Sequence, residues 1–360
     1  MLAADTGGCM NRITRRQSFK NRRMPTMTGS GEGVSKVSAK PERPSRSLFH
    51  YTTADGLVGI LENQSLFATH SEFLNDSSEC KSILAVLLPR VEAELREVVP
   101  LLVERRLFHP SILTDNGDEI YRQEAENMLQ ALPSAGNHTA PYFISSFCIH
   151  EPDTSAYTQG LLSQWRGYGR GGFAIEFDEH TLDRLNVEEN ESRRYQGIIT
   201  DQVTYQNHDD RVKNEYFSGF AGALLKNLFP KLSDQLDAIL GPKTTDDFAR
   251  PFLSIAPFLK DPSFEEENEY RIVALCNRPN IKDESDHRSA KPIRFRTKAS
   301  GQLVPYVALY EELKTKLPIK SIIIGPHPHQ SSQQMALEIL LEKAGFTDVA
   351  IRLSSIPFRE

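Results

Sequence analysis

The sequence predicts an α+β fold: a mixed or antiparallel sheet core, helices around it and a helical insert. Strand-like runs and helical stretches follow one another irregularly, without the regular strand–helix alternation of a doubly wound sheet. No internal repeat is present. At 360 residues, 39% hydrophobic and 25% charged, the composition is that of an ordinary globular chain. Its longest apolar runs, such as "ILAVLL" and "VVPLLV", are broken by charge or proline, well short of the roughly 20 apolar residues a membrane helix needs. No membrane association is expected.

Residues 1–46 read as a disordered basic arm, with ten Lys/Arg against three acids (Asp5, Glu32, Glu42) and many Ser, Gly and Pro. Too few apolar residues are present there to bury a core. That surplus leaves −13 for the rest of a chain whose net charge is −6. The four cysteines (Cys9, Cys80, Cys148, Cys276) form no Cys-x-x-Cys pair, so neither a disulfide framework nor a thiolate zinc site is indicated. Cytoplasmic localisation is the expectation.

Residues 47–360 read as one α+β domain with an insert at about 211–260. "SLFHY" is a strand. Thr52 and Asp55 then have capping-box spacing, and Leu57, Ile60 and Leu61 make one helical face. "SLFATH" is a second strand, followed by a long amphipathic helix that starts near Asn75 or Asp76 with Glu79 close behind. "DEIYRQEAENMLQAL" is another helix and "YFISSFCI" a strand. "GLLSQWRGYGRGGFAIEFD" runs from helix through a glycine turn to a strand, whose apolar/polar alternation predicts half burial. "QGIITDQVTY", "ENEYRIVALC", "PIRFRT", "VPYVALY" and "SIIIG" follow as strands, before a C-terminal helix and the strand "VAIRLSS".

Two motifs are set aside on context. Gly167, Gly169 and Gly172 satisfy G-x-G-x-x-G, but helix-before-strand reverses the dinucleotide arrangement. His327 and His329 lie in a Gly-Pro-His-Pro turn with nothing nearby to complete a metal tetrahedron, so no metal is expected.

The sharpest signal is "SFEEENEYRIVALC". On a strand, Glu267, Glu269 and Arg271 project to one face. Two adjacent carboxylates repel, which splits their pKa values, a useful property in proton-handling chemistry. It also implies that neutralising Glu269 leaves stability unchanged or raised. The bland alternative is a charged edge strand guarded against aggregation. Similarly, "HYTT" (His50, Tyr51, Thr52) sets an imidazole and a phenol at a strand end. Trp165 and Tyr168 are either core or a pocket wall for a flat ring.

In this order, "LFHYTTADGLVGIL", "LFATHSEFLNDSSE", "FCI", "SQWRGYGRGGFAIEFD", "EEENEYRIV", "IIIGP" and "IPFR" resemble a bacterial family known as domain of unknown function 2971, over about 47–358. Phe264 stands where that family usually shows Trp. More distantly, His on a first strand, Ser on a middle one and Glu-x-Glu on a late one is similar to the ADP-ribosyltransferase superfamily, with its split sheet. That resemblance implies an NAD-consuming ADP-ribosyltransferase or NAD glycohydrolase with NAD as co-substrate. His50 would hold the ribose, Ser145 or Ser146 would support the nicotinamide side, and Tyr51 or Trp165 would stack. Glu269 would bind the ribose hydroxyl beside the breaking bond, and Glu267 would face an acceptor (protein, nucleic acid or water). Thr52, Tyr168 and Arg271 are grouped with the cofactor contacts. Depleting NAD or modifying a target halts growth, so the reading extends to a defence or toxin effector with a regulatory partner protein. Two alternatives stand beside it: a non-catalytic binding or sensing module, and a metal-dependent nuclease using Glu79, Glu267 and Glu269.

Overall fold

The computed structural model describes residues 45–74, 79–110, 119–130, 141–169, 172–205, 222–223, 225–226, 231, 233–240, 255–276, 286–298 and 300–357. Most of the basic arm and much of the expected insert lie outside them. In chain order the strands are β1 (Ser47–Thr52), β2 (Leu66–His70), β3 (Tyr142–Ile149), β4 (Phe173–Asp178), β5 (Tyr195–Gln202), β6 (Glu269–Cys276), β7 (Arg294–Thr297), β8 (Leu303–Leu309), β9 (Ile319–Ile324) and β10 (Ala350–Leu353). The main helices are α1 (Ala54–Asn63), α2 (Glu79–Glu104), α3 (Glu119–Gln130), α4 (Ser155–Gln159), α5 (Glu179–Ser192), α6 (Ser233–Leu240) and α7 (Gln330–Lys343). No helix among the described residues is long and apolar enough to cross a membrane.

The chain divides into two compact units. One takes in Ser78–His138 and Gln206–Leu259 and is helical where described. In α2, Val91, Leu95, Val98 and Leu102 are buried at intervals that keep them on one helical face. Ala125, Met128 and Leu129 of α3 are buried likewise, and the two helices pack together.

The other unit holds the ten-stranded mixed sheet, ordered β10-β9-β4-β1-β3-β2-β8-β7, with β6 on the remaining edge of β3 and β5 beyond it. Only β9–β10 is parallel among these ladders. The sheet forks at β3. One edge pairs with β6 from Tyr142 to Cys148. The other is shared, with β2 taking Phe143 and Ile144 and β1 taking Cys148 and Ile149. Ser145, Ser146 and Phe147 sit between, where β1 and β2 diverge.

Strand parity sorts the side chains onto two faces. Leu48, Phe147, Tyr270, Phe177 and Ile322 point to the larger core, covered by Leu57, Ile60 and Leu61 of α1, Leu182 and Leu185 of α5, and Leu337 and Leu341 of α7. Each such fully buried side chain contributes about 1.5–3 kcal/mol, so register is firmly set wherever both faces are covered. The second face carries a smaller cluster of Phe49, Tyr51, Cys148, Trp165, Ala174 and Ile323.

Four expectations need correction. The cap of α1 is Thr53, whose hydroxyl accepts from Gly56 N–H, not Thr52. Ser45 and Arg46, assigned to the arm, belong to the sheet unit: Ser45 Oγ donates to Asp178 Oδ2 at 2.6 Å and Arg46 grips both oxygens of Glu179. The strand at 173–178 is buried on both faces rather than half buried. Its Glu176 is only 3% exposed because Ser47, Ser321, Tyr157 and Arg352 satisfy the carboxylate. Finally, Glu267 is not on a strand. Asp261 caps a 3-10 helix over Pro262–Glu267, Asn268 follows with φ 43°, and the strand begins at Glu269.

Candidate functional site at the fork of the sheet

Asn268 sets the entry into β6. Its left-handed backbone suits an Asn, its side chain donates to Ile149 O at 3.0 Å, and Gln202 Nε2 donates to its Oδ1 at 2.7 Å. Glu269 therefore enters the sheet in fixed register opposite Cys148, with Arg271 opposite Ser146. Arg271 donates Nε to Glu269 Oε1 at 2.8 Å and Nη2 to Oε2 at 2.9 Å, a bidentate pair. Lys260 Nζ donates to Glu269 Oε2 at 3.1 Å and to Glu267 Oε2 at 2.6 Å, and lies 4.6 Å from the Phe264 ring centroid. The Glu269 N–H donates to Tyr205 Oη at 2.8 Å.

Side-chain exposures of Lys260, Glu269 and Arg271 are 4, 5 and 1%, against 13% for Glu267. Burial alone would raise the Glu269 pKa. Arg271, Lys260 and a hydrogen bond from Ser146 outweigh it and hold the carboxyl down at about 2. Burial also works against the Lys260 ammonium, but the two carboxylates raise its pKa. At neutral pH Glu269 is therefore a carboxylate and Lys260 an ammonium.

His50 approaches the same serine from the other limb. Its Nδ1 lies 2.9 Å from Ser146 O. A carbonyl only accepts, so Nδ1 carries the proton and Nε2 keeps its lone pair. Burial lowers the His50 pKa, the Ser146 contact opposes this, and the charge of Arg296 lowers it further. The ring is a neutral acceptor rather than the donor that a ribose-holding histidine suggests.

The ADP-ribosyltransferase resemblance needs His50, Ser145 or Ser146, Trp165 or Tyr168, and Glu269 in one pocket. His50 and Glu269 instead project from opposite faces of the sheet, which counts against the ribose-holding role of His50. His50 neighbours Phe147 across the fork (ring centroids 5.6 Å apart), and Phe147 pairs with Tyr270 on the core face. Glu269 pairs with Cys148, which pairs with Phe49, on the second face. Parity puts Ser145 and Thr52 with His50, and Tyr51, Ser146 and Arg271 with Glu269. What the fork does bring together is three segments at one residue. His50 meets the carbonyl of Ser146, and the Ser146 side chain shares its face of the sheet with Glu269. The Ser145 hydroxyl is buried beside them with no hydrogen-bond partner, a state that ordinarily costs about 1–3 kcal/mol.

The aromatic candidates are core. Trp165 is fully buried, donates its indole N–H to Gln159 O at 3.1 Å and meets Tyr51 edge-on at 4.8 Å. Tyr51 Oη accepts from Leu161 N–H at 2.8 Å and lies 2.8 Å from His150 Nε2. With one proton on that phenol, the chain runs Leu161 N–H to Tyr51 to a neutral His150, whose pKa burial lowers to about 4. Tyr168 lies in a π-helical turn, Trp165–Gly169, with its side chain outside the described residues. The Glu79 side chain lies outside them too. Among the described residues no group of three or more His, Cys, Asp or Glu is arranged to hold a metal.

A family model described as "Protein of unknown function (DUF2971)" matches residues 164–272. The match supports that family over a stretch containing β4, α5, β5, Lys260, Glu267, Glu269 and Arg271, but neither His50 nor Ser146. The curated proteins and the solved structures each yield no match. Within the matched stretch, sequence reasoning missed Lys260 and Tyr205. Lys260 precedes Glu269 by the 3-10 turn Pro262–Glu267 and Tyr205 by 64 residues, and no periodicity links either to it. The readable signal was Asp261-Pro262, a capped turn that folds Lys260 back over the strand.

Proposed function

We propose that the chain is an NAD-consuming enzyme, an ADP-ribosyltransferase or NAD glycohydrolase, working at the fork of the sheet. The observation that carries this is Glu269, a buried carboxylate at the start of β6 that Arg271 and Lys260 grip directly. Breaking the nicotinamide–ribose bond develops an oxocarbenium-like cation. Glu269, held ionised by its neighbours, supplies a fixed negative charge that interacts more strongly with that cation than with the ground state. Both Glu269 oxygens already have partners, but Lys260 also holds Glu267, so the ammonium can stay on Glu267 while Oε2 turns to a ribose hydroxyl. His50 and Ser145 project from the opposite face of the sheet to Glu269 and are given no contact with that ribose. Glu267, the more exposed carboxylate, faces the acceptor. In this reading Trp165 and Tyr51 shape the scaffold and do not touch the nicotinamide.

A second reading is favoured by one specific observation. Glu269 is 4% exposed and gripped bidentately by Arg271, as a purely structural ion pair would be. On that reading the fold is a non-catalytic binding module. Nicotinamide release separates the two: wild-type turnover that drops in a folded Glu269→Gln variant supports the enzyme, and NAD binding without release supports the module.

A further inference from the structure

On the second face, the limb formed by β2, β8 and β7 carries a cationic site separate from Glu269, Lys260 and Arg271. Alternation along β7 puts Arg294 and Arg296 on one side, and Lys298 continues the row. Arg294 is neutralised, with Nη1 2.7 Å from Glu311. Arg296 is not. Its guanidinium donates to Thr69 Oγ1 at 3.0 Å and lies 5.9 Å from the Phe67 ring centroid. Phe67 in turn stacks on Tyr306 at 4.3 Å. Among the described residues no carboxylate pairs with Arg296, and Lys298 Nζ bonds only the Phe73 carbonyl, at 3.2 Å.

Position makes this pair of cations informative. Thr69 pairs with Ile144, immediately before the unpaired stretch of β3, so Arg296 is tethered at the mouth of the fork. Its charge reaches His50 across the fork. An exposed guanidinium 5.9 Å from an aromatic ring centroid, with no carboxylate partner among the described residues, is suited to bidentate phosphate recognition. Lys298 adds a point charge alongside.

We propose that Arg296 and Lys298 form a diphosphate-binding subsite at the mouth of the fork, which anchors the dinucleotide while its ribose end enters toward Ser146 and Glu269. This deepens the NAD reading and rests on it for the identity of the ligand. Arg296 is here a positioning residue that touches no reacting atom.

The test is calorimetric titration of the full chain with ADP-ribose, inorganic pyrophosphate and nicotinamide riboside, which lacks the diphosphate, for wild type, Arg296→Gln, Arg296→Lys and Arg294→Gln. Thermal melts confirm folding of each. Loss of a charge-assisted contact predicts about 10- to 100-fold weaker ADP-ribose and pyrophosphate binding in Arg296→Gln. Partial rescue in Arg296→Lys is expected, with nicotinamide riboside unaffected. Any nicotinamide-releasing activity then loses kcat/KM through KM. Arg294→Gln should stay within about twofold, because its charge is already neutralised. Equal affinities in wild type and Arg296→Gln overturn the subsite. Equal losses in the Arg294 and Arg296 variants overturn it as well, since they report only the general field. Tighter, Arg296-dependent binding of an RNA oligonucleotide replaces the dinucleotide as occupant. ADP-ribose binding through Arg296 without nicotinamide release leaves the subsite standing and removes the enzymatic reading, so the two failures are distinguishable.

Discussion

Glu269→Gln is expected to destabilise the sheet unit strongly, the opposite of what two repelling carboxylates imply. The substitution keeps shape but removes the charge that faces Arg271 and Lys260. Lys260 retains Glu267; Arg271, 1% exposed, loses the carboxylate that grips it bidentately. A carboxyl held at about 2 rather than 4.5 corresponds to about 3 kcal/mol in favour of its charged form. Removing one member of a buried pair typically costs about 3–5 kcal/mol, so both routes give a loss of about 3 kcal/mol or more. Arg271→Met should cost a similar amount. The double variant should lose about 1–3 kcal/mol less than the sum, because the two changes remove one shared interaction. Urea denaturation followed by tryptophan fluorescence measures this well, since Trp165 is the only tryptophan and lies in the sheet unit. A Glu269→Gln transition within about 0.5 kcal/mol of wild type, or strict additivity in the double variant, would refute the reasoning.

Other outcomes follow from the same geometry. Unfolded, the His150 imidazole titrates near 6.5; folded, burial holds it at about 4. Between those values the unfolded chain binds more protons, so stability falls as pH drops from 6.5 to 4 and His150→Gln should flatten that slope in pH-dependent melts. Glu269 acts lower, its contribution present above pH 4.5 and lost as pH falls toward 2. Gly160→Ala should cost about 2–5 kcal/mol, because φ is +76° and the new Cβ would sit 2.5 Å from Trp165 Cζ2. A Tm close to wild type would count against the packing of that turn.

Much of the fold was legible because its strands are β-branched and aromatic runs bounded by turn residues. The α1 face of Leu57, Ile60 and Leu61 was readable from spacing alone. Helix α5 was not. Its sequence, "EHTLDRLNVEENES", has Leu182 and Leu185 as its buried apolar anchors, and its other buried positions are the polar Asn186 and Glu189. Asn186 Oδ1 accepts from Tyr310, and Glu189 takes Tyr195 and Lys291, partners more than 100 residues away in two of the three cases. Asp178, whose carboxylate caps Thr181 N–H, was the one local signal for that helix. At the site, sequence grouped Glu269, Arg271, His50 and Ser145 or Ser146 in one pocket, whereas the structure puts His50 and Ser145 on one face of the sheet and Glu269, Arg271 and Ser146 on the other. The faces were misjudged because alternation assigns them along one strand, whereas relative parity between strands depends on register. The position of Glu267 was misread for a simpler reason: Pro262 and Asn268 bracket a turn within a run whose charges looked strand-like.

The measurement that tests the central claim most directly is nicotinamide release from NAD by the full chain, compared with Glu269→Gln at matched folded fraction. The account predicts release by wild type and a fall of about 10² to 10³ in the variant, the usual consequence of losing one electrostatic contact to a developing charge. A folded wild-type chain that neither binds NAD nor releases nicotinamide, or a Glu269→Gln variant that turns over undiminished, would contradict it.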